Sequence, residues 1–461
     1  MRSTASELIV HDDAIRRNAA YFSALTGGRL MAVLKADAFG HGDIARSVLE
    51  AGAGSIGVTC IDEALALRAG GVTAPILSWL NTPEADFDAA LLARVDLAAP
   101  SVELLTAIGS AARRTGVTAR VHLHLDVGIN RDGCPAREWA ALCALAREHE
   151  AAGALRVVGV MGHMSCADEP AHPQNVRERL VFANGLRTAR RRGLTPSLAH
   201  LAATAATLNG AGGQSTGRIG PGLSEIHRIG AGLFGIDPSR TAGSRTGGSG
   251  TAGSRTAGSG ALSPALTLTS TVVSVHEVSA GTGIGYGHDS VTPQRTRLAL
   301  LPIGYGDGLP RAASGRAEVL VRGRRRPVVG RFSMDMIVVD TGDDLLHPGE
   351  TVTVFGPGDA GEPTVADWAD WAGTIEHEIL TGIGPRKARI RRTLRSDPAP
   401  NGTDFDTDTA PTPRTAAHRT LGAPSCRTPR PDASPSSEAA RTTSTPFPSL
   451  PLPQSLARFA S

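Results

Sequence analysis

The sequence predicts an α/β protein that begins with a parallel (β/α)8 TIM barrel and continues into a mostly β domain. Between residues 29 and 235, eight short apolar runs alternate with amphipathic stretches. After residue 262 the runs become β-branched and are separated by tight turns, and a low-complexity stretch lies between the two parts. Eight β-then-α units favour a barrel, and a doubly wound open sheet is the alternative.

The eight candidate barrel strands are short, apolar and bounded by Gly, Pro, Asp or Ser: RLMAVLKA, SIGVTC, PILSWL, VDLAAP, RVHLHLD, VVGVMGHMS, SLAHLAAT and RIGAGLFG. Apolar residues recur at spacings of three and four between them, which indicates helices. Examples are GDIARSVLEAG, SVELLTAIGSAARRTG, PAREWAALCALAREHE and NVRERLVFANGLRTARRRG. We therefore predict a barrel domain over residues 7–238, with its chemistry at the carboxyl ends of the strands.

Three further segments follow the predicted barrel. Residues 239–260 repeat TAGSRT and contain no apolar residue larger than alanine, which predicts a flexible insert. Runs such as LTLTSTVVSVHEV, TRLALLPIG, AEVLVRG and ETVTVFG predict a mostly β domain over 261–395. Residues 396–461 hold 12 of the 30 prolines and many Ser and Thr, so we expect a disordered tail.

Composition excludes several classes of protein. A net charge of +3 in 461 residues, with no aromatic-rich basic patch, gives no sign of nucleic-acid binding. The five cysteines form no CxxC pair, and we find neither a signal-like start nor an 18-residue apolar stretch, so we expect a cytoplasmic protein without a membrane partner. The two histidines of HLH at 122–124 could ligate zinc, but no third ligand with suitable spacing follows, and we expect no metal.

One lysine stands out in the stretch MAVLKADAFGHG. Of the 47 basic side chains, only Lys35 and Lys387 are lysines, so arginine supplies the ordinary positive charge. An arginine cannot act as an amine nucleophile, whereas a desolvated lysine can form a Schiff base. Lys35 also ends the first predicted barrel strand. It is therefore a candidate for amine chemistry, against the alternative of chance survival in an arginine-rich chain.

Nine ordered stretches carry a family resemblance: AVLKADAFGHG, HLDVGINRDG, GHMSCADE, HLAATAATLNG, RIGAGLFGIDPS, GIGYGHDS, LPIGYGDGLPR, GRFSMDMIVVD and GTIEHEILTGIGPRKARI. From about residue 7 to 392, apart from the insert, the chain resembles the alanine racemase family. The resemblance implies a pyridoxal 5'-phosphate enzyme that interconverts L-alanine and D-alanine for peptidoglycan supply. It also implies a homodimer whose active sites are shared between subunits. The alternatives are a racemase of serine or another small amino acid, and a cofactor-binding homologue without racemase activity.

The resemblance also assigns roles to individual residues. Lys35 matches the lysine that holds the cofactor and acts as one catalytic base, and Tyr286 matches the opposite base, supplied by the partner subunit. Inversion of a carbon centre needs a proton removed from one face and delivered to the other, which explains why two bases are required. The remaining matches are Arg131 and Met334 for the substrate carboxylate, His163, Thr204, Arg228, Gly230 and His377 for the cofactor, and Tyr305 and Asp335 in support.

The chain departs from the family pattern in four places. The family asparagine and tyrosine that follow the lysine are Asp37 and Phe39 here, and Phe39 offers no hydroxyl to a phosphate. The usual Asn-Ser pair is Ala203 followed by threonine, and the tyrosine before the glutamate is His377. His124 occupies the position of a lysine that is carbamylated in many members. These changes bear on phosphate binding and on support of the substrate arginine.

Overall fold

The structure, a computed structural model, describes residues 6–210, 223–238, 262–383 and 389–396. In its first part, strands and helices alternate as the sequence predicts. The elements are β1 (Ser6–His11), α1 (Asp12–Leu25), β2 (Leu30–Val33), α2 (Lys35–Phe39), α3 (Ala45–Glu50), β3 (Ser55–Val58), α4 (Ile61–Ala69), β4 (Ile76–Ser78), α5 (Phe87–Leu92), β5 (Asp96–Ala99), α6 (Val102–Thr115), β6 (Ala119–His124), α7 (Trp139–Ala151), β7 (Leu155–Met161), α8 (Pro173–Arg191), β8 (Leu198–His200), α9 (Thr204–Asn209), β9 (Ser224–Glu225) and β10 (His227–Ile229).

A parallel barrel is formed by the strands from β2 to β10. Strands β2 to β8 pair in chain order, β9 pairs with β8, and β10 pairs with β2. Only Ile226 separates β9 from β10, so the two short strands together occupy one strand position of the barrel. The barrel therefore has eight strand positions, and each of the eight predicted runs contributes a strand. The predicted (β/α)8 barrel is confirmed, and the open sheet is excluded.

Helix α6 illustrates how local sequence sets the element boundaries. The Ser101 hydroxyl accepts a hydrogen bond from the Leu104 backbone N–H at 3.2 Å, which caps the start of the helix. Gly116 adopts a φ of +69° and ends it. Between the caps, apolar residues at helical spacing, including Leu105 and Ile108, are buried against the barrel.

The second part is built on a nine-stranded sheet. Its elements are β11 (Leu266–Thr271), β12 (Ser274–Val278), β13 (Gly283–Ile284), β14 (Ser290–Val291), β15 (Thr296–Leu301), β16 (Glu318–Val321), β17 (Arg324–Val329), β18 (Ile337–Gly342), β19 (Thr351–Phe355), β20 (Ile390–Arg395) and the helices Val365–Ala372 and Glu376–Ile383. The strand order is β12-β15-β18-β17-β16-β19-β11-β1-β20, and β13 and β14 form a separate hairpin. A mostly β domain is therefore confirmed.

Strand β1 belongs to this second sheet, although it lies within the segment 7–238 that the sequence assigns to the barrel. It pairs antiparallel with β11, where Ser6 faces Ser270, and parallel with β20. The sheet thus joins the first described strand to the last described one. The predicted insert at 239–260 lies outside the described residues, as does the predicted tail beyond Ser396.

A continuous apolar core joins the two parts. It includes Phe22 and Phe182 beside the barrel, and Phe332 and Trp368 beneath the second sheet. A smaller cluster of Met31, Leu77, Ala98 and Met161 is formed by barrel strands alone. Across the part of the chain that the structure describes, every helix is too short or too polar to span a membrane.

Candidate active site

A cavity of about 580 Å³ opens at the carboxyl ends of the barrel strands. In a closed parallel barrel these ends meet on one face, so residues far apart in sequence converge there. The cavity wall also includes the start of the helix Glu376–Ile383 from the second part. The predicted site residues that line it are Lys35, Arg131, His163, Thr204, Arg228, Gly230 and His377. Seven of the predicted residues are thus brought together in one chain.

The short segment α2 is not a right-handed helix but an unusual backbone turn that follows Lys35. Residues 36–39 all adopt left-handed conformations with φ between +51° and +55°, and Gly40 follows at +82°. A left-handed conformation costs a residue with a side chain roughly 1–2 kcal/mol, so four in succession require strong support from their surroundings. Within the turn, the Ala38 N–H donates to the Leu34 carbonyl at 2.9 Å, and the Gly40 N–H donates to the Ala36 carbonyl at 3.1 Å.

The environment of the Lys35 amine makes it easier to deprotonate. Burial against the cavity wall has the largest effect and lowers the pKa of Lys35. The cation of Arg131 lowers it further, whereas the carboxylate of Glu63 opposes the change. Because the neutral amine is the nucleophile, a lowered pKa suits covalent chemistry with an aldehyde.

Arg228 and His163 lie on the same wall of the cavity, where Arg228 is charged and His163 is a neutral imidazole. The buried guanidinium of Arg228 donates to the carbonyls of His200 and Gly162, both at 2.6 Å, and lies 3.3 Å from His163 Nδ1. Burial lowers the pKa of Arg228 to about 10, so the side chain stays charged at neutral pH. Burial, followed by the charge of Arg228, lowers the pKa of His163 to about 3, and the imidazole is therefore neutral.

A chain of buried polar groups runs behind Arg228. His200 Nε2 lies 2.8 Å from His122 Nδ1, and His122 Nε2 lies 3.4 Å from the carboxylate of Asp96. Arg120 donates to Asp96 at 2.8 Å and closes the chain. His122, the first of the two histidines in HLH, therefore belongs to this buried polar network. Sequence reasoning missed Asp96 and His200, and the available signal was a polar residue inside each apolar strand pattern.

The loop after β6 carries Arg131 beside an acid–histidine pair. His124 Nδ1 lies 3.4 Å from the Asp132 carboxylate. Burial opposes ionisation of Asp132, but contact with His124 and the nearby charge of Arg131 outweigh it and lower the pKa of Asp132. A negative charge thus lies next to Arg131, and it contacts His124, the residue at the position that the family resemblance assigns to a carbamylated lysine.

One end of the cavity combines hydroxyl, backbone and imidazole groups. The buried Thr204 hydroxyl accepts a hydrogen bond from the Gly232 N–H at 3.3 Å. The Phe39 ring packs between Phe234 and His377, with centroid distances of 4.8 and 5.7 Å. Burial, followed by the charge of Lys35, lowers the pKa of His377. This imidazole is therefore neutral at pH 7 and retains one N–H donor.

Four predicted residues do not line this cavity. Tyr286 and Met334 are 68% and 55% exposed, on loops of the second part. Tyr305 neighbours Met334, because the Gly306 N–H donates to the Met334 carbonyl at 2.8 Å. Asp335 accepts a hydrogen bond from an arginine of the same surface. Within a single chain, the structure therefore does not bring these four residues to Lys35.

Comparison with known proteins identifies the family. The sequence model for the alanine racemase N-terminal domain matches residues 10–238, and that for the C-terminal domain matches residues 265–391. An alanine racemase from Frankia casuarinae is 42% identical over 385 residues, which cover 83% of this chain and 94% of that protein. The chain belongs to the alanine racemase family. The family expected from the nine ordered stretches is thus confirmed.

Solved alanine racemase structures share the fold. The enzyme from the D-cycloserine-producing Streptomyces lavendulae matches with a TM-score of 0.77 and 36% identity, over 86% of this chain and 98% of that chain. The alanine racemase of Bartonella henselae, which was crystallised with covalently bound pyridoxal phosphate, matches with a TM-score of 0.71 and 22% identity. This match covers 85% of this chain and 100% of the Bartonella chain, and it shows a common fold.

Proposed function

We propose that this chain is a pyridoxal 5'-phosphate-dependent racemase that interconverts L-alanine and D-alanine and so supplies D-alanine for peptidoglycan. The observation that carries the proposal is the placement of Lys35, one of only two lysines in the chain, in a barrel-end cavity with Arg131 and Arg228. The five cysteines, without any CxxC pair, support action in a reducing compartment such as the cytoplasm.

The residues of the cavity fit this cofactor. A volume of about 580 Å³ lies within the range of small-molecule sites. Lys35 offers an amine for the aldehyde, and Thr204, Gly230 and His377 offer hydroxyl, backbone and imidazole groups for a phosphate. When bound, pyridoxal phosphate supplies an electron sink that makes the Cα proton of an attached amino acid removable.

Each cavity residue then has a distinct task. Lys35 holds the cofactor and removes the Cα proton of the D-enantiomer. Arg131 binds the substrate carboxylate, to which a planar guanidinium can donate two hydrogen bonds. Arg228, a permanent buried cation, disfavours a second positive charge beside it. If the cofactor bound with its ring nitrogen beside Arg228, this cation would keep the nitrogen unprotonated and so would suppress side reactions such as transamination.

The second base comes from a second copy of the chain. Tyr286, Met334 and Tyr305 are exposed apolar side chains on the second part, and such surfaces are typical of protein interfaces. In a symmetric homodimer the same surface of each copy can complete the cavity of the other. Tyr286 then moves the proton on the L face, Met334 binds the carboxylate through its backbone N–H, and Tyr305 and Asp335 line the entrance.

Deuterium exchange at Cα tests the proposal directly. Purified protein with added pyridoxal phosphate is incubated in D₂O with L-alanine and, in parallel, with L-serine. We expect exchange with inversion on alanine, and we expect Lys35→Ala to abolish it. Exchange on serine alone would indicate a racemase of another substrate, and exchange on neither would indicate a cofactor-binding homologue without this activity.

A further inference from the structure

A carboxylate on α4 ties together the ends of two neighbouring barrel strands. Glu63 Oε1 accepts a hydrogen bond from the Ala36 N–H at 2.7 Å, and Oε2 accepts one from the Thr59 N–H at 2.8 Å. Ala36 directly follows Lys35 and is the first residue of the left-handed turn, whereas Thr59 directly follows β3. Both oxygens of Glu63 therefore fix backbone at the cavity rim.

An arginine of the second sheet contacts the same turn. Arg392, on β20, donates to the carboxylate of Asp37 in the middle of the turn. Gly42 makes room for this contact, because a Cβ built there would lie 2.1 Å from an Arg392 guanidinium nitrogen, and its φ is +83°. The last described strand of the chain thus contacts the segment that carries Lys35.

We propose that Glu63 and the Asp37–Arg392 ion pair are positioning residues that hold the left-handed turn and so orient Lys35 for cofactor attachment and proton transfer. This inference rests on the proposed function, in which Lys35 is the reacting amine. Four consecutive left-handed residues persist only where their surroundings enforce the conformation. Glu63 supports the first residue of the turn, and Arg392 supports the second.

The two supports have separable effects on Lys35. Glu63→Gln leaves one amide oxygen for two N–H donors and removes the charge that opposes the lowering of the Lys35 pKa. This substitution should therefore lower the pKa of Lys35 further and also loosen the turn. Arg392→Ala leaves the charge of Glu63 in place and acts only through Asp37, so we expect a displaced turn without that additional titration shift.

The experiment exploits the near absence of lysine. Full-length protein freed of cofactor is reacted with pyridoxal phosphate across a range of pH, reduced with borohydride, and digested. Mass spectrometry then quantifies modification of Lys35 against Lys387, the other lysine in the sequence. The matched controls are Asp62→Asn and Arg391→Ala. Asp62 lies on the same helix as Glu63. Arg391 lies on the same strand as Arg392 and pairs with Glu7 of β1.

We expect Glu63→Gln to move the pH midpoint of Lys35 modification downward and to reduce its plateau rate. Arg392→Ala should reduce the plateau rate alone, and Arg392→Lys should restore part of it. Turnover of the reloaded enzymes should fall roughly 10- to 100-fold in kcat with a smaller change in KM, as a misplaced reacting group produces.

Two results would overturn the inference, and they differ in what else they affect. If Glu63→Gln and Arg392→Ala match their controls in midpoint, plateau rate and kcat, the positioning role is refuted while the proposed function stands. If wild-type Lys35 is not modified at all, the proposed function fails and this inference fails with it. Arg392 lies partly at the surface, so its variant tests the turn even where Glu63→Gln lowers the yield of folded protein.

Discussion

Replacing Gly159 with alanine should break the buried polar chain behind Arg228. Gly159 lies on β7 opposite His122, and a Cβ built on it would be 2.3 Å from Nδ1 of that ring. Nδ1 is the atom that lies 2.8 Å from His200. Since His122 is buried and held at both ring nitrogens, it cannot avoid the methyl group without moving by roughly 1 Å and losing one of these contacts.

The expected cost follows from two contributions. Overpacking a well-filled interior costs about 1–3 kcal/mol, and leaving a buried polar group without its partner costs about 1–3 kcal/mol more. The reduced freedom of the unfolded chain returns about 0.4–1 kcal/mol, because alanine replaces glycine. We therefore expect the free energy of unfolding to fall by about 1–5.6 kcal/mol. Cofactor affinity should fall as well, because the His200 ring also contacts Arg228, with 3.2 Å between its Nδ1 and the guanidinium.

Urea denaturation of the purified variant measures the first effect, and fluorescence titration with pyridoxal phosphate measures the second. Gly54→Ala is the matched control, since a Cβ at Gly54 would meet no atom closer than 3.8 Å and φ is not positive there. The control should be as stable as wild type or more stable by up to about 1 kcal/mol. Equal stability of Gly159→Ala and Gly54→Ala would refute the view that His122 is rigidly held.

Three further predictions concern titration and catalysis. The pKa of His163 is about 3 in the folded chain and near 6.5 when unfolded. The unfolded state therefore binds the extra proton between these values, and the free energy of unfolding should fall with decreasing pH by up to about 1.4 kcal/mol per unit; melting temperatures that stay flat from pH 7 to 4 would contradict this. Tyr286→Phe should slow single-turnover proton removal from L-alanine roughly 100-fold or more, and from D-alanine much less, whereas equal effects would argue against two bases. His377→Ala should weaken pyridoxal phosphate binding roughly 3- to 10-fold in a fluorescence titration, the value of one hydrogen bond, and an unchanged Kd would remove His377 from the phosphate site.

The barrel could be predicted from local patterns because each barrel strand is a short apolar run followed by a helix. The placement of β1 could not be predicted in this way. Its residues pair with β11 more than 250 positions away, where Ser6 faces Ser270, and its partner on the other side is β20. Strand pairing over such a distance leaves no periodic signal in either segment, so nothing in the local pattern assigns β1 to the second sheet.

The same limit applies to the site. Lys35 could be singled out by its rarity, and the other cavity residues by the ordered stretches around them. Glu63 and Arg392 could not, because each lies in an ordinary amphipathic or basic segment. Their importance arises only when α4 and β20 are placed against the turn after Lys35. Tyr286 differs again, since a single chain leaves it exposed and away from the cavity.

The departures from the family pattern are matched by their surroundings in this chain. Asp37, which replaces an asparagine, introduces a charge that Arg392 meets. Phe39 and His377, which both replace tyrosines, contact each other and enclose the end of the cavity assigned to the phosphate. The contacts of Arg228 with His163 and with the Gly162 carbonyl involve none of these residues. The consequences should therefore fall on how tightly the cofactor is held, and less on the transfer of the proton.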